Sequence, residues 1–280
     1  MPQPPQPPRP PGGVTTTYDL DGPGTPDDSG IFDLGVGVVP ADDRRDVDFA
    51  YAGTGSIGDT VWFDLDMDGI TDPEEVPLQD IRVTATFTLP GANVITLEAF
   101  TDADGQYLFT GLPFDLPVTV EVDAGTLPAG LTPTYDLDGT ATPHSTTTTL
   151  TTGDPDRRDV DFGYAGSGEI GDLVWLDVDG NGAMTPDPGE PGLSGVPVTL
   201  VWDNPTGAAD LTITTTTDSA GAYLFSNLPA GDYTIDLAGL PGGLDPSFDP
   251  DGGDDLTSDT TLGVGSSDLA QDFPFVGTGS

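Results

Sequence analysis

The amino-acid sequence predicts an all-β protein made of tandem immunoglobulin-like antiparallel β-sandwich repeats. One observation is internal repetition: "SIGDTVWFDLDMDG" at 56–69 returns as "EIGDLVWLDVDGNG" at 169–182, and "TDADGQYLFTGLP" at 101–113 returns as "TDSAGAYLFSNLP" at 217–229. The second is a series of short runs of β-branched and aromatic residues between Gly, Pro, Asn and Asp. The third is that no segment has the pattern of a helix.

The repeats divide the chain into four segments. Residues 1–13 are a Pro-rich linker, expected to be polyproline II. Residues 14–53 match only the closing strands of the repeat and form a truncated copy, because "TTTYDLDG" and "DDRRDVDFAYAGTG" reappear near the end of the next unit. Two complete units follow, at 54–166 and 167–280.

Each complete unit is predicted to contain about seven strands in about 110 residues, as in an immunoglobulin-like sandwich. In the first unit they are expected at 57–63, 81–89, 93–100, 106–110, 118–122, 145–152 and 159–165. Alternation leaves open whether Val61 and Phe63, or Trp62, face the core. The other predicted core residues are Val83, Phe87, Tyr107, Phe109, Val120, Phe162, Trp175, Val198, Leu200, Tyr223, Phe225, Ile235 and Phe273.

Composition excludes several classes of function. The formal net charge is -42, with 48 acidic residues and 6 basic ones, all arginine. Nucleic acid and anionic membranes would be repelled by this charge, whereas cations would be attracted. Cysteine is absent, so disulfides and thiolate metal sites are excluded. No apolar run reaches the roughly 20 residues of a membrane span, so membrane insertion is not expected, and an export signal or surface anchor would either lie outside this sequence or not exist.

The loop 64–75, "DLDMDGITDPEE", has the spacing of an EF-hand calcium loop. Carboxylates occupy positions 1, 3, 5, 9 and 12, glycine occupies position 6, and position 7 would contribute a backbone carbonyl. Strands rather than helices flank the loop, so we predict an EF-hand-like loop grafted between strands. The predicted calcium ligands are Asp64, Asp66, Asp68, Ile70, Asp72 and Glu75.

The second unit repeats this loop with two extra residues before its last carboxylates. Its predicted ligands are Asp177, Asp179, Asn181, Asp187 and Glu190. An alternative remains open for both loops, because acidic turns are common on solvated sandwich surfaces and proteins from saline habitats carry excess aspartate. Weaker metal candidates lie in DxDG-type turns or just inside the opening strands, where turn formation or backbone capping is the alternative; they are Asp59, Asp172, Asp102, Asp104, Asp136, Asp138, Asp249 and Asp251.

These motifs together resemble the SdrD B-like repeat of bacterial surface proteins, within the collagen-adhesin B-type (CnaB-like) group. The resemblance rests on "IGDTVWFDLDMDGITDPEE", "TDADGQYLFTGLP" and their second copies, and it covers nearly all of 54–280. It implies calcium-stiffened sandwiches that act as stalks or spacers of extracellular, cell-surface adhesins, with the calcium ligands on the two loops above. Some relatives carry a Lys–Asn isopeptide crosslink, which this chain cannot form because it has no lysine.

The sequence favours a structural function over catalysis. The single histidine, His144, lies in a Thr-rich loop and is expected to be an exposed bystander, and the paired carboxylates recur in copied turns. Two alternatives to the stalk remain open. One is a filament subunit that associates head to tail by strand addition through residues 14–53. The other is a carbohydrate- or protein-binding sandwich, for which Trp202 is the aromatic to test, with edge-strand packing as its alternative role.

Overall fold

The computed structural model describes residues 14–18, 50–183, 186–248, 250–253 and 255–278. The described residues form β-strands joined by turns, with no α-helix. The truncated copy contributes β1 (Val14–Tyr18) and β2 (Ala50–Gly53), which pair with each other in antiparallel orientation.

The first unit contains ten strands and the second contains nine. The first has β3 (Gly55–Phe63), β4 (Val76–Pro77), β5 (Arg82–Leu89), β6 (Asn93–Phe100), β7 (Gln106–Leu112), β8 (Pro117–Val122), β9 (Thr132–Asp136), β10 (Ser145–Thr149), β11 (Asp156–Arg157) and β12 (Phe162–Ala165). The second has β13 (Gly168–Leu176), β14 (Pro197–Trp202), β15 (Leu211–Thr216), β16 (Ala222–Leu228), β17 (Gly231–Leu237), β18 (Leu244–Pro246), β19 (Thr257–Leu262), β20 (Ser267–Asp268) and β21 (Phe273–Gly277).

Each unit is a sandwich of two sheets. In the first unit, one sheet has the order β10-β8-β5-β6, and the other has the order β11-β3-β12-β9, with β4 and β7 also paired to β3. The second unit repeats this arrangement as β15-β14-β17-β19 and β16-β13-β21-β18. The predicted immunoglobulin-like, CnaB-type sandwich is therefore confirmed.

The opening and closing strands of each unit pair in parallel, which the antiparallel prediction did not include. Val61 of β3 lies opposite Phe162 of β12, and Val174 of β13 lies opposite Phe273 of β21. Because the first and last strands lie side by side at the centre of one sheet, the loop that follows the opening strand lies beside the closing strand.

The inner faces of the sheets form the core, and β3 resolves the ambiguity of its alternation. Val61 and Phe63 lie in the core cluster with 0% exposure. Trp62 is also buried but lies on the opposite face, where it packs against Tyr135 with ring centroids 5.7 Å apart. A Cβ atom at Gly163 would lie 2.8 Å from the Trp62 ring, so glycine makes room for the indole. Trp175 occupies the same outer position in β13: it is buried as predicted, at 1% exposure, but it lies outside the inter-sheet cluster to which Val174 belongs.

In the first unit, three short strands were not predicted. They are β4, β9 and β11, which follow or precede turn-forming residues and have few β-branched side chains. The strand β9 changes the interpretation of the "YDLDG" motif, because Asp136 is the last residue of a strand and is only 4% exposed. It is therefore not simply part of an exposed turn.

The two complete units meet at a joint formed by the 64–75 loop and its surroundings on one side and the β16–β17 turn on the other. The Asn227 side-chain amide donates to the Leu65 carbonyl (3.0 Å), and the Ala230 N–H donates to the Ala129 carbonyl (3.0 Å). Trp202, predicted as an exposed contact or an edge-strand residue, is instead fully buried in the inner strand β14. Its ring centroid lies 6.1 Å from that of Phe63 in the first unit.

Candidate metal centre

The 64–75 loop begins where β3 ends, next to the closing strand. The Asp64 N–H donates to the Tyr164 carbonyl (2.8 Å), which extends the parallel pairing by one residue and fixes the start of the loop. Asp64 is fully buried, whereas Asp66 and Asp68 are exposed. One carboxylate oxygen from each of these three residues lies within 4.8 Å of the others. The structure therefore brings together the residues at positions 1, 3 and 5.

Backbone hydrogen bonds within the loop hold these carboxylates in place. Asp66 accepts from the Asp68 N–H (3.1 Å), Asp68 accepts from the Ile70 N–H (2.7 Å), and Asp64 Oδ2 accepts from the Gly69 N–H (3.2 Å). Gly69 has φ of 76°, in the left-handed region that glycine adopts without strain. Position 6 therefore permits the sharp turn predicted from the sequence.

Glu75 closes the loop by binding backbone groups at both of its ends. Its Oε1 accepts from the Leu65 N–H (2.7 Å), and its Oε2 accepts from the Asp72 N–H (3.1 Å). Burial raises the pKa of Glu75, and these two hydrogen bonds act against that rise. Burial also raises the pKa of Asp72, together with repulsion from Asp68 and Asp66. Neither Asp72 nor Glu75 belongs to the tight carboxylate cluster in this structure.

The most informative atom of the loop is Asp64 Oδ1. It is buried and has no hydrogen-bond partner among the described residues. A buried carboxylate oxygen without a partner is unfavourable, because it has lost its hydration. Asp66 and Asp68 place further carboxylate oxygens beside Asp64, and carboxylates are the ligands that Ca²⁺ prefers. The residues of this loop therefore fit a hard divalent cation.

The second loop, 177–190, begins in the same way, but its acidic cluster has a different third member. Asp177 is 2% exposed, its N–H donates to the Phe275 carbonyl (2.8 Å), and it forms a cluster with Asp179 and Glu190. Burial would raise the pKa of Asp177, but hydrogen bonds led by that from the Gly182 N–H lower it. The second loop thus has a stronger network of backbone donors around its first carboxylate than the first loop has.

The two extra residues of the second loop do not displace its last glutamate. Glu190 Oε1 accepts from the Val178 N–H (2.9 Å) and Oε2 accepts from the Asp187 N–H (2.7 Å), which are the counterparts of the two Glu75 bonds. The Asn181 side-chain amide donates to Asp187 Oδ2 (2.9 Å). The insertion lies between Gly182 and Asp187, and Glu190 returns to the position that closes the loop.

The weaker metal candidates differ in burial and in the backbone groups that their carboxylates bind. Asp102 accepts from the Asp104 and Gln106 N–H groups (3.0 and 2.9 Å), so it stabilises its own exposed turn. Asp251 accepts from the Asp259 N–H (2.9 Å), as Asp138 does from the Thr147 N–H (3.1 Å). Asp249 lies outside the described residues. Asp136 differs from the other weaker candidates because it is buried.

Asp59 and Asp172 lie apart from the loops and face carboxylates that sequence reasoning missed. The missed residues are Asp161 and Asp272, at matching positions just before β12 and β21. Burial, with repulsion from Asp59 and Asp159, raises the pKa of Asp161 to about 6, although a hydrogen bond from the Thr60 N–H (2.9 Å) opposes the rise. Burial and repulsion from Asp172 raise the pKa of Asp272 to about 7. The repeated "DxDF" and "QDF" motifs were the available signal.

His144 is not an exposed bystander. It is half-buried and stacks on Tyr164 with ring centroids 5.5 Å apart, and its Nδ1 lies 3.1 Å from the Tyr164 hydroxyl. Its ring is therefore packed against a buried tyrosine of the closing strand.

Fold and loops together define a class: tandem β-sandwich repeats with an acidic loop after the opening strand. Comparison of sequences gives the family. The profile of the SdrD B-like domain matches residues 55–164 and 168–272, and the chain belongs to this family. The predicted family is therefore confirmed, and the chain is a structural repeat protein rather than an enzyme.

Curated relatives match most of this chain. Serine-aspartate repeat-containing protein E of Staphylococcus aureus (strain USA300) is 36% identical over 214 residues, which cover 74% of this chain and 18% of the relative. Bone sialoprotein-binding protein of Staphylococcus aureus (strain MRSA252) is 35% identical over 217 residues, with the same coverage of each chain. The chain thus corresponds to less than a fifth of the length of these relatives.

Solved structures with similar features include pilins. The minor pilin GBS52 of Streptococcus agalactiae has a TM-score of 0.32 at 14% identity, over 81% of this chain and 98% of that one. The shaft pilin SpaA of Lactobacillus rhamnosus GG has a TM-score of 0.29 at 13% identity, over 81% and 99%. Scores this low carry no argument about function. Among the described residues, no helix is long and apolar enough to span a bilayer.

Proposed function

We propose that this chain is a non-enzymatic, calcium-binding repeat region that acts as a stalk or spacer of an extracellular cell-surface adhesin. The observation that carries the proposal is the buried, unpartnered Asp64 Oδ1 beside the carboxylates of Asp66 and Asp68. In the second unit, Asp177 and Asp179 correspond to Asp64 and Asp66, and the third member of the cluster is Glu190, the counterpart of Glu75. A bound Ca²⁺ would supply the positive charge that these loops lack.

The role as a stalk is supported by the position of the first loop at the joint between units. Leu65 donates its N–H to Glu75 and accepts the Asn227 amide of the second unit on its carbonyl. Leu65 therefore belongs both to the loop and to the joint, so a change in the conformation of the loop would alter the joint. Calcium that orders the loop would also hold the second unit in a fixed orientation.

The expected stabilisation follows from the affinity of comparable modules. Extracellular calcium modules have dissociation constants of about 10⁻⁴ to 10⁻³ M. At about 10 mM calcium, each occupied site would then add about 1.4–2.7 kcal/mol to the free energy of unfolding. Two loops give two such contributions, so stability and rigidity would depend strongly on calcium.

The test is thermal unfolding with calcium, with magnesium and with a chelator, for the wild type and for Asp64→Asn and Asp177→Asn. Each substitution is expected to remove the calcium-dependent rise in melting temperature of its own unit and to leave that of the other unit. Asp102→Asn, which changes an exposed turn aspartate, is the matched control. An unchanged calcium-dependent shift in both loop variants would show that these loops are solvated acidic turns.

The two alternatives have less support in the described residues. Trp202, the residue that would have carried carbohydrate or protein binding, is fully buried. For the filament, β1 and β2 pair within the same chain, and Gly53 approaches Leu112 of the first unit as Gly166 approaches Leu228 of the second. This repeated close approach favours consecutive units in a tandem stalk over strand exchange between chains.

A further inference from the structure

The second acidic loop contains the one asparagine of the sequence that is followed by glycine. The chain has four asparagines, at 93, 181, 204 and 227, and only Asn181 precedes a glycine, Gly182. Asn181 takes the place in its loop that Asp68 has in the first loop. Its side chain is exposed, so water reaches the amide. Because glycine has no Cβ, the nitrogen of Gly182 can approach the preceding side chain with little hindrance.

This pair of residues can undergo deamidation, with water as the only co-reactant. The Gly182 nitrogen loses its proton and forms a bond to Asn181 Cγ, which closes a cyclic succinimide. The Cγ–Nδ2 bond breaks, and the nitrogen takes up a proton and leaves as ammonia. Water then opens the ring at either of its carbonyl carbons. The product at this position is aspartate or isoaspartate.

Hydrogen bonds of the closed loop hold the groups that would react. The Gly182 N–H donates to Asp177 Oδ2 (3.0 Å). Asn181 Oδ1 accepts from the Ala183 N–H (2.7 Å), and Asn181 Nδ2 donates to Asp187 Oδ2 (2.9 Å). A carboxylate that accepts from the N–H opposes loss of its proton, and the two side-chain bonds fix the amide in one orientation. The closed loop therefore restrains the reaction, and an open loop would permit it.

The loop can hold an aspartate at this position, but with one contact fewer. In the first loop, Asp68 Oδ1 accepts from the Ile70 N–H (2.7 Å). Asn181 Oδ1 accepts the equivalent bond from the Ala183 N–H, and an aspartate would keep it. The amide that donates to Asp187 would become a carboxylate that repels it. Deamidation would thus add one negative charge and release Asp187 from the first half of the loop.

We propose that Asn181 is a site of spontaneous deamidation, and that the order of the second loop controls its rate. The modification changes the charge of the second loop with time and gives it a carboxylate where the first loop has Asp68. It is specific to the second unit, because the first loop has no amide at this position. Asn93 is the internal reference, since it is also exposed but precedes the β-branched Val94.

The test incubates the full 280-residue protein at mildly alkaline pH with chelator and follows every asparagine by peptide mapping with mass spectrometry. Labelling with an isoaspartyl methyltransferase identifies the isoaspartate product. Asn181 is expected to react before Asn93, and to react faster in denaturant than in the folded protein. Reaction at Asn93 before Asn181 would overturn the proposed site, and equal rates at Asn181 in the folded and unfolded chains would overturn its control by the loop.

Added calcium separates this proposal from the proposed function. The rates with chelator decide whether Asn181 is a deamidation site. If the second loop also binds calcium, calcium should slow the reaction at Asn181 and leave that at Asn93 unchanged. Equal rates at Asn181 with calcium and with chelator would count against calcium binding by this loop, while the deamidation site would stand.

Two variants test the restraint directly. Asp187→Ala removes the acceptor of the Asn181 amide and should deamidate about fivefold faster than the wild type with chelator, the factor that corresponds to about 1 kcal/mol. Asp245→Ala, at an exposed aspartate of the same unit outside the loop, is the matched control and should react at the wild-type rate. A wild-type rate in Asp187→Ala would overturn the proposed restraint.

Discussion

At the scale of single residues, the main feature of the chain is a set of carboxylates that are buried away from water without a positively charged partner. Asp64, Asp136, Asp161 and Asp272 are all partly or fully buried, in a protein with only 6 arginines and no lysine. The hydrogen bonds that some of them accept come from backbone N–H groups, as for Asp161 and Asp272. Their environments differ, so we expect the stability contributed by Asp272 to depend on pH and that contributed by Asp64 to depend on calcium.

Asp272 should make the second unit less stable as the pH rises. Its folded pKa of about 7 lies above the ordinary value, so between about pH 4 and 7 the native state binds more protons than the unfolded state. Stability from this group is therefore present below about pH 4 and is lost as the pH rises to 7. Asp272→Asn should raise the free energy of unfolding at pH 8 by about 1–2 kcal/mol, with little change at pH 4.

Denaturant unfolding from pH 4 to pH 8, with chelator present throughout, measures this difference. Asp245→Asn, at an exposed aspartate of the same unit, is the control and should follow the wild-type profile. Parallel profiles for Asp272→Asn and the wild type would mean that Asp272 is ionised in the folded protein across this range.

At the scale of elements, a tyrosine in the strand beside each opening strand ties the sandwich to its closing segment. The Tyr107 hydroxyl of β7 donates to the Val160 carbonyl (2.5 Å), and the Tyr223 hydroxyl of β16 donates to the Gln271 carbonyl (2.6 Å). Both bonds are buried and join positions about 50 residues apart in sequence. They fix the segment that leads into the closing strand, and hence the strand next to the acidic loop.

Tyr107→Phe and Tyr223→Phe should each destabilise the protein by about 1–2 kcal/mol, because each leaves a buried carbonyl without its donor. Tyr135→Phe is the matched control, since the Tyr135 hydroxyl has no hydrogen-bond partner in the described ranges; its effect should stay within about 0.5 kcal/mol. Chemical denaturation in saturating calcium measures all three. An equal loss of stability in the three variants would show that it comes from removing a tyrosine hydroxyl, and not from removing the hydrogen bond to the closing segment.

At the scale of the whole molecule, a hydrogen bond from Asn227 to Leu65 connects the first loop to the second unit. Asn227 has φ of 60° and uses its side chain to bind Leu65, whereas the corresponding residue of the first unit, Gly111, has φ of 76° and no side chain. Asn227→Gly therefore removes the bond to Leu65 without disturbing the backbone conformation.

Asn227→Gly should keep the number of bound calcium ions and loosen the orientation of the two units. The distance distribution between spin labels, one on each unit, is expected to broaden in calcium until it matches that of the wild type with chelator. Labels on introduced cysteines are unambiguous, because the chain has none of its own. Asn93→Gly, at an exposed strand start, is the control, and a wild-type distribution in Asn227→Gly would mean that the remaining contacts of the joint are sufficient.

The sequence by itself determined the all-β class, most strands of the first unit and the two acidic loops, whereas the exact bounds of the repeats stay a prediction. Periodicity, turn residues and ligand spacing are local properties, so they can be identified from the sequence alone. The strand at 93–100 was predicted at the bounds that the structure has, and the acidic cluster of the first loop begins at Asp64, the first residue of the predicted loop. Short strands such as β9 were missed, because their pairing depends on a partner distant in sequence.

Only the tertiary structure decided which side chains are buried and which partners they meet. It placed Trp202 in the core against Phe63, left Asp64 Oδ1 without a partner, and set Asp161 and Asp272 beside Asp59 and Asp172. The positions of Asp161 and Asp272 depend on the parallel pairing of the first and last strands of each unit, about 100 residues apart, and that of Trp202 depends on the contact between units. Burial and electrostatic environment arise from such long-range contacts, which a local pattern does not encode.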